Sequence, residues 1–370
     1  MRLDSLSAPV NADALAATTT QLRAAVIGTG QIAQQHLACL SRLPGVEIVG
    51  VCDLSAALAE CAAQRHGAKA WFTDHRRMLE TVGAQVVHVT TPPASHFRLA
   101  RDCLDAGAHV FLEKPATTSL DELVALLSFA ESKGRMLVED YNYLWNAPVL
   151  RLREWAERGA LGRIQHVDVT LCLNILDPGS PFMDPNLRHP ALDLRGGVIA
   201  DFLPHLASLA HAFCGPLVQA STLWEKRGPS SALAYDEFRA LLRGSRASAA
   251  LAFSAHSQPD TFRLTVYGTQ ARASADIFEH RLTRASLRRL PRPLIPFVNA
   301  LDDAHTTARS AFGLLWRKLS GGPGSYEGLW TLIRRFYDAA GGAGPVPLSG
   351  RDVLEVNRIV DRLLAEVRAA

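Results

Sequence analysis

The 370-residue chain lacks any run of the roughly 20 apolar residues that a membrane-crossing helix requires, and its first residues lack the charged-then-apolar pattern of a secretory signal. Both absences point to a cytoplasmic protein with no transmembrane segment. The six cysteines, at 39, 52, 61, 103, 172 and 214, form no CxxC pair and join no histidine at zinc spacing, so a disulfide framework and a metal site are not expected. They read as free thiols, mostly in cores. A net charge of only +3, without an aromatic-interleaved basic stripe, argues against nucleic acid as a partner. Acidic residues are missing altogether between Glu279 and Asp302, where Arg281, Arg284, Arg288, Arg289 and Arg292 precede the proline-broken "LPRPLIPFV". That segment reads first as a solvated face beside an inter-subunit loop. Its other reading is a contact for something anionic, a diphosphate or a membrane surface.

What is present suits two folded domains: 48% hydrophobic and 20% charged residues over a length that can bury two cores. Residues 1–21 have no apolar period and are expected to form a flexible tail. Over 22–145, β-rich runs at 24–28, 46–53, 84–91, 109–113 and 135–139 alternate with helical stretches, several of which stop at a glycine (Gly67, Gly83, Gly107, Gly134). Strand, helix and glycine stop repeating in order predict parallel strands with crossover helices, a doubly wound α/β domain. Over 146–370 the texture changes. One helix leads into consecutive strand-like runs interrupted by a helical segment near 200–214, which predicts an α+β domain with a large, mainly antiparallel open sheet. The chain ends in helical patterns, the last opened by a capping-box pair, Ser349 and Asp352.

The stretch "AVIGTGQIAQQH", Ala25 to His36, follows the first strand and opens the first helix. Gly28, Gly30 and Ala33 place small residues where a dinucleotide fingerprint needs a tight turn, close backbone approach to pyrophosphate and close helix packing. Gly28, Thr29, Gly30, Gln31 and Ile32 are therefore candidate cofactor contacts. Asp53, ending the second strand, can accept hydrogen bonds from the adenosine ribose and would repel a 2′-phosphate, which favours NAD, with NADP the other possibility. The plainer alternative is a glycine turn with Asp53 capping the next helix.

Two further stretches end strands at the edge where ligands of open parallel sheets bind: "VTTPPASH" (89–96) and "FLEKPA" (111–116). Downstream, "GGVIADFLPHLASLAH" sets Asp201 and His205 four apart, on one face of a helix whose first turn is expected to hold Pro204. Before it lies a polar, proline-rich segment, 175–195. It reads as a surface excursion, or as a loop over a pocket with Arg188, His189 or Arg195 on substrate.

The order GxGxxA, Asp, TPPxxH, EKP, GGxxxDxxxH resembles the oxidoreductases named for glucose-fructose oxidoreductase, inositol dehydrogenase and MocA, from about residue 22 to at least 215. The resemblance implies a Rossmann domain followed by an α/β domain whose open sheet faces the substrate site on one side and often a dimer partner on the other. A homodimer or homotetramer through that sheet is the expectation. Lys114 matches the EKP lysine that contacts substrate hydroxyl and nicotinamide, Asp201 the substrate-binding carboxylate, and His205 the general acid/base. Thr90, Thr91, Pro92, His96 and Glu113 match the cofactor loops, and Tyr141 and Asn142 fall where the substrate pocket is often lined. The implied reaction is hydride transfer between nicotinamide and a secondary hydroxyl or ketone of a sugar, nucleotide sugar or cyclitol. The alternatives are an internal redox cycle with NAD never leaving, used for epimerisation, transhydrogenation or glycosidic cleavage, and a non-catalytic nucleotide-binding protein. One departure bears on substrate identity: a second carboxylate often follows the DxxxH histidine, and here the next residues are Leu206, Ala207, Ser208 and Leu209.

Overall fold

The computed structural model describes residues 21–367 apart from 178, 184–188, 229, 231, 288–289 and 320–323. The expected N-terminal tail, Arg188, Arg288 and Arg289 lie outside the described residues. Six parallel strands, β1 (Leu22–Ile27), β2 (Val46–Cys52), β3 (Trp71–Phe72), β4 (Val86–Val89), β5 (His109–Leu112) and β6 (Leu137–Glu139), form the first sheet. Helices α1 (Gln31–Leu40), α2 (Ala56–His66), α3 (His75–Val82), α4 (His96–Asp105) and α5 (Leu120–Ser132) make the crossovers. Covered on both faces, the central strands carry continuous rather than alternating hydrophobicity, and β4 is buried at every position. The order β3-β2-β1-β4-β5-β6 reverses between β1 and β4, which opens a crevice at their carboxyl ends.

After α6 (Ala147–Glu157) come β7 (Ile164–Cys172), α7 (Gly197–Cys214), β8 (Leu217–Glu225), β9 (Glu237–Gly244), β10 (Ser248–Ser254), β11 (Thr261–Gly268), β12 (Ala271–Asp276) and β13 (Arg281–Ser286). Their sheet runs β13-β12-β11-β7-β10-β9-β8 and is antiparallel except for one central parallel pair, β7 with β10. Helix α7 covers one face, and the other is open. Along β9 the alternation is clean: Phe238, Ala240 and Leu242 turn inward while Arg239 and Leu241 turn out. Helix α7 is long and apolar enough to cross a membrane, yet 72% of it is buried inside this fold.

Helix α8 (Leu294–Leu319) corrects the reading of its first residues as a broken apolar segment. Pro296 sits in its first turn, where a missing N–H has no intrahelical partner to lose. Helices α9 (Glu327–Ala340) and α10 (Gly350–Leu364, opened by the Ser349–Asp352 capping box) return to the first sheet. The Tyr337 hydroxyl reaches His88 Nε2 on β4 at 3.1 Å, and Asn357 Nδ2 donates to Glu139 on β6 at 2.6 Å.

Candidate active site

The turn between β1 and α1 is built for close approach. Gly28 has φ +88°, and a Cβ there would lie 2.9 Å from the Thr90 backbone and the Thr91 methyl. A Cβ on Gly30 would meet nothing within 4 Å, so the turn opens to solvent on that side. Helix α1 starts at this opening with no side-chain cap and no acidic residue in its first turn, which leaves its N–H groups and positive dipole end facing outward. Gln31 is exposed and Ile32 half-buried at this end. These features fit a bound pyrophosphate.

Asp53 Oδ2 accepts both the Thr29 N–H (2.8 Å) and the Thr29 hydroxyl (2.9 Å), and Oδ1 accepts the Ser55 N–H (2.9 Å). The carboxylate thus braces the glycine turn and caps the approach to α2, and it stays half-exposed with lone pairs to offer a ribose. Thr90 donates its hydroxyl to the Gly28 carbonyl (2.9 Å), holding the turn from β4. Thr91 pairs with Ser95 at 2.7 Å, and Pro92 is exposed at the rim.

Two residues expected to touch a cofactor are turned inward instead. His96 is fully buried, with Nε2 2.7 Å from the Thr91 carbonyl and Nδ1 2.9 Å from the Pro115 carbonyl, so it ties the two strand-end loops together. Glu113 faces His36 Nε2 at 3.0 Å through one oxygen and accepts the Lys114 N–H at 3.2 Å through the other. His36 Nδ1 lies 2.8 Å from His88 Nδ1. Burial holds the His88 ring neutral, its affinity for a proton far below normal. His36 thus sits between His88 and Glu113 in a buried polar line that runs on to the Tyr337 hydroxyl.

Burial would raise the Glu113 carboxyl, but the hydrogen bond from His36 and the Lys114 charge keep it below its ordinary value. Its neighbour Asp140 behaves oppositely. Burial, then the Glu113 charge and the hydrogen bond between them, push Asp140 well above the carboxylate range, so it keeps its proton. The chain places this acid–carboxylate pair beside Lys114, and no sequence motif marks Asp140, a buried aspartate just after a strand.

Lys114 leaves the end of β5 and crosses to α7. Its Nζ pairs with Asp201 Oδ1 at 2.6 Å and donates to the Asp201 carbonyl at 3.1 Å, both side chains being 16% exposed. Pro204 lies in the middle of α7 rather than in its first turn, because the helix begins at Gly197, and it has no N–H for the Ala200 carbonyl, which loosens the ladder where Lys114 enters. One turn on, His205 is buried, its Nδ1 without a partner among the described residues and its ring 4.7 Å edge-on from Tyr143. Burial, with the Lys114 charge adding to it, holds His205 well below its ordinary pKa.

Tyr141, expected to line the pocket, instead points into the core. Its hydroxyl donates to Glu139 (2.6 Å) and receives Asn357 (3.0 Å), because residues two apart at a strand end share a face. Asn142 is buried, with Oδ1 unpartnered among the described residues. Tyr143, not singled out beforehand, is the ring that meets His205. Above the site, His189 packs at a tilt against Phe182 (4.3 Å), and Phe182 approaches Phe202 (5.9 Å), whose ring lies 5.9 Å from Lys114 Nζ. Burial lowers the His189 pKa, and the charges of Asp201 and Lys114 reach it. Arg195 goes elsewhere, donating to the Val367 carbonyl at 3.1 Å.

A glycine turn with an open helix end, and a lysine joined to an Asp-x-x-x-His helix across the crevice, describe a nicotinamide enzyme. Residues 22–141 match the oxidoreductase family with an NAD-binding Rossmann fold, and residues 149–274 match the C-terminal domain of the same Gfo/Idh/MocA group. The chain belongs to that family. It is an NAD-binding oxidoreductase with a Rossmann domain. The uncharacterized oxidoreductase YrbE of Bacillus subtilis is 26% identical over 92% of this chain and 93% of its own length. D-glucoside 3-dehydrogenase of Escherichia coli is 31% identical, but over 40% of this chain and 43% of that protein. In fold, the chain resembles the WlbA dehydrogenase of Bordetella pertussis, solved with NADH and UDP-GlcNAcA, with a TM-score of 0.74 at 19% identity over 94% of this chain and 96% of that one.

Proposed function

We propose that the protein is an NAD-dependent dehydrogenase or ketoreductase acting on a secondary hydroxyl or ketone of a sugar, nucleotide sugar or cyclitol. The observation that carries this reading is the Lys114–Asp201 pair, which brings the EKP loop onto the helix of buried His205. NAD, when bound at the glycine turn, supplies the hydride acceptor. His205, neutral at pH 7, takes the hydroxyl proton as the carbon gives up hydride. Lys114 donates a hydrogen bond to the same oxygen and stabilises its developing negative charge. Asp201 fixes the lysine and orients the sugar, and Tyr143 holds the His205 ring by its edge. The carbohydrate class is supported by the substrates printed in the relatives' names.

Six cysteines with no disulfide among them suit a reducing compartment, which supports a cytoplasmic location. Exposed Leu223 and Leu241 on the open sheet face support the expected homo-oligomer through that sheet. The test is hydride transfer by purified protein against a panel of sugars, cyclitols and nucleotide sugars, followed at the nicotinamide absorbance. Turnover that disappears in His205→Ala and Lys114→Ala, with NAD still bound, is the expected result. NAD binding with turnover that both variants retain removes the catalytic assignment.

A further inference from the structure

Helix α8 lies along β13, with Asn299 Nδ2 on the Ser286 carbonyl at 3.4 Å and Arg281 on the Thr307 hydroxyl at 3.4 Å. Its side toward the sheet, including Ile295, Val298, Asn299 and Ser310, is half-buried. The opposite side leaves large apolar groups in water. Phe297 is 62% and Phe312 74% exposed, with Leu294, Leu301 and Leu315 each about half exposed. Contiguous exposure of this kind on a folded chain marks an interaction surface.

The stripe has a symmetry that identifies its partner. Leu294 and Leu315, Phe297 and Phe312, Leu301 and Ala308 are three pairs, each centred between residues 304 and 305. An isologous two-fold contact demands this self-complementarity: turned end for end, the stripe sets Phe297 against Phe312 of the partner subunit and leucine against leucine at the ends. The three-and-four spacing is that of a helix seam. Charge selects the same direction. Exposed Asp302 lies on the N-terminal side of the centre and exposed Arg309 on the C-terminal side, so an antiparallel pair brings opposite charges together, whereas a parallel pair stacks like on like. An aspartate beside the middle of the stripe also disfavours an anionic membrane surface.

We propose that α8 is a self-association helix, pairing antiparallel with α8 of a second copy of this chain about a two-fold axis at residues 304 and 305. The stripe would bury about 600 Å² per subunit, about 1,200 Å² in the pair, at the lower end for a stable specific interface. This contact is separate from the open sheet face, and it holds whichever substrate the enzyme takes.

Cysteine crosslinking of the full chain, with exposed Cys61 replaced (Cys61→Ser), tests the geometry. Ala304→Cys, at the axis, is expected to double in mass on non-reducing gels under mild oxidation. Leu294→Cys and Leu315→Cys are expected to stay single alone and to form a mixed disulfide when combined. In sedimentation, Phe297→Glu with Phe312→Glu is expected to lose one halving of the assembled mass while NAD binding and circular dichroism stay unchanged. Absence of the Ala304→Cys crosslink, self-crosslinking of Leu294→Cys, or an unchanged mass in the double glutamate variant would each overturn the proposal. So would binding of the wild type to phosphatidylglycerol vesicles that the glutamates abolish without any crosslink, which would assign the stripe to a membrane.

Discussion

Lys114 and Asp201 are joined tightly enough for their coupling to be measured. At 2.6 Å, with an effective dielectric of about 20, the direct attraction is about 6 kcal/mol, much of it cancelled by the water both ions give up. Lys114→Met leaves the Asp201 carboxylate unpaired in a largely buried site, and Asp201→Leu leaves the ammonium there. Each is expected to cost about 3 kcal/mol, the lower end for breaking a buried pair. The double variant removes both charges and their desolvation together, so it is expected to be near neutral, leaving a coupling of about 6 kcal/mol, the direct attraction itself. Urea unfolding at pH 7, followed by tryptophan fluorescence and circular dichroism on the cofactor-free protein, measures all three. Activity should part from stability: each single variant loses at least about 100-fold in kcat, and the double variant recovers none of it. Single costs that simply add, with coupling below about 0.5 kcal/mol, would refute the idea that this contact is a desolvated ion pair.

Asp53→Ala should narrow the preference for NAD over NADP in paired Kd measurements, and an unchanged ratio would confine Asp53 to bracing Thr29 and Ser55. Gly28→Ala forces a side chain into a left-handed turn already in contact with Thr90, so a loss of roughly 2–4 kcal/mol of unfolding free energy in urea melts is expected, together with loss of NAD binding by calorimetry. Burial lifts Glu139 to about 7, above its unfolded value, so its contribution is fully present at low pH and is lost as pH rises from about 4.5 to 7. Relative to wild type, Glu139→Gln should therefore gain about 3 kcal/mol between pH 4.5 and 7 in urea melts at the two pH values; parallel pH profiles would show that Glu139 does not titrate there.

Much of the site was legible because it sits where local rules are strict. A glycine turn between strand and helix, a carboxylate closing β2, a lysine closing β5 and an Asp–His pair four apart all follow from short-range spacing. The failures have a common cause in longer-range packing. Trp71–Phe72 is too short a strand to show a period, and it exists because β2 offers it an edge. The parallel pairing of β7 with β10 is set by how the whole sheet closes. Tyr141 was misplaced because Asn357, 216 residues away, supplies the partner that draws its hydroxyl inward. Asp140 and Tyr143 gain their meaning only from Glu113 and His205. Helix α8 was hidden by Pro296 and by an arginine-rich approach, features that end a helix in its interior but are tolerated at its start.

The return of α9 and α10 to the first sheet has a consequence for biosynthesis. Glu139 and Asn357, bonded in the finished enzyme, are 218 residues apart. At roughly 5–20 residues per second, the nucleotide-binding half waits about 10 to 45 s on the ribosome for the helix that satisfies its last buried carboxylate. During that interval the core around Glu139 and His88 is unsealed, so the half that carries the cofactor turn reaches its final form only once α9 and α10 have been made.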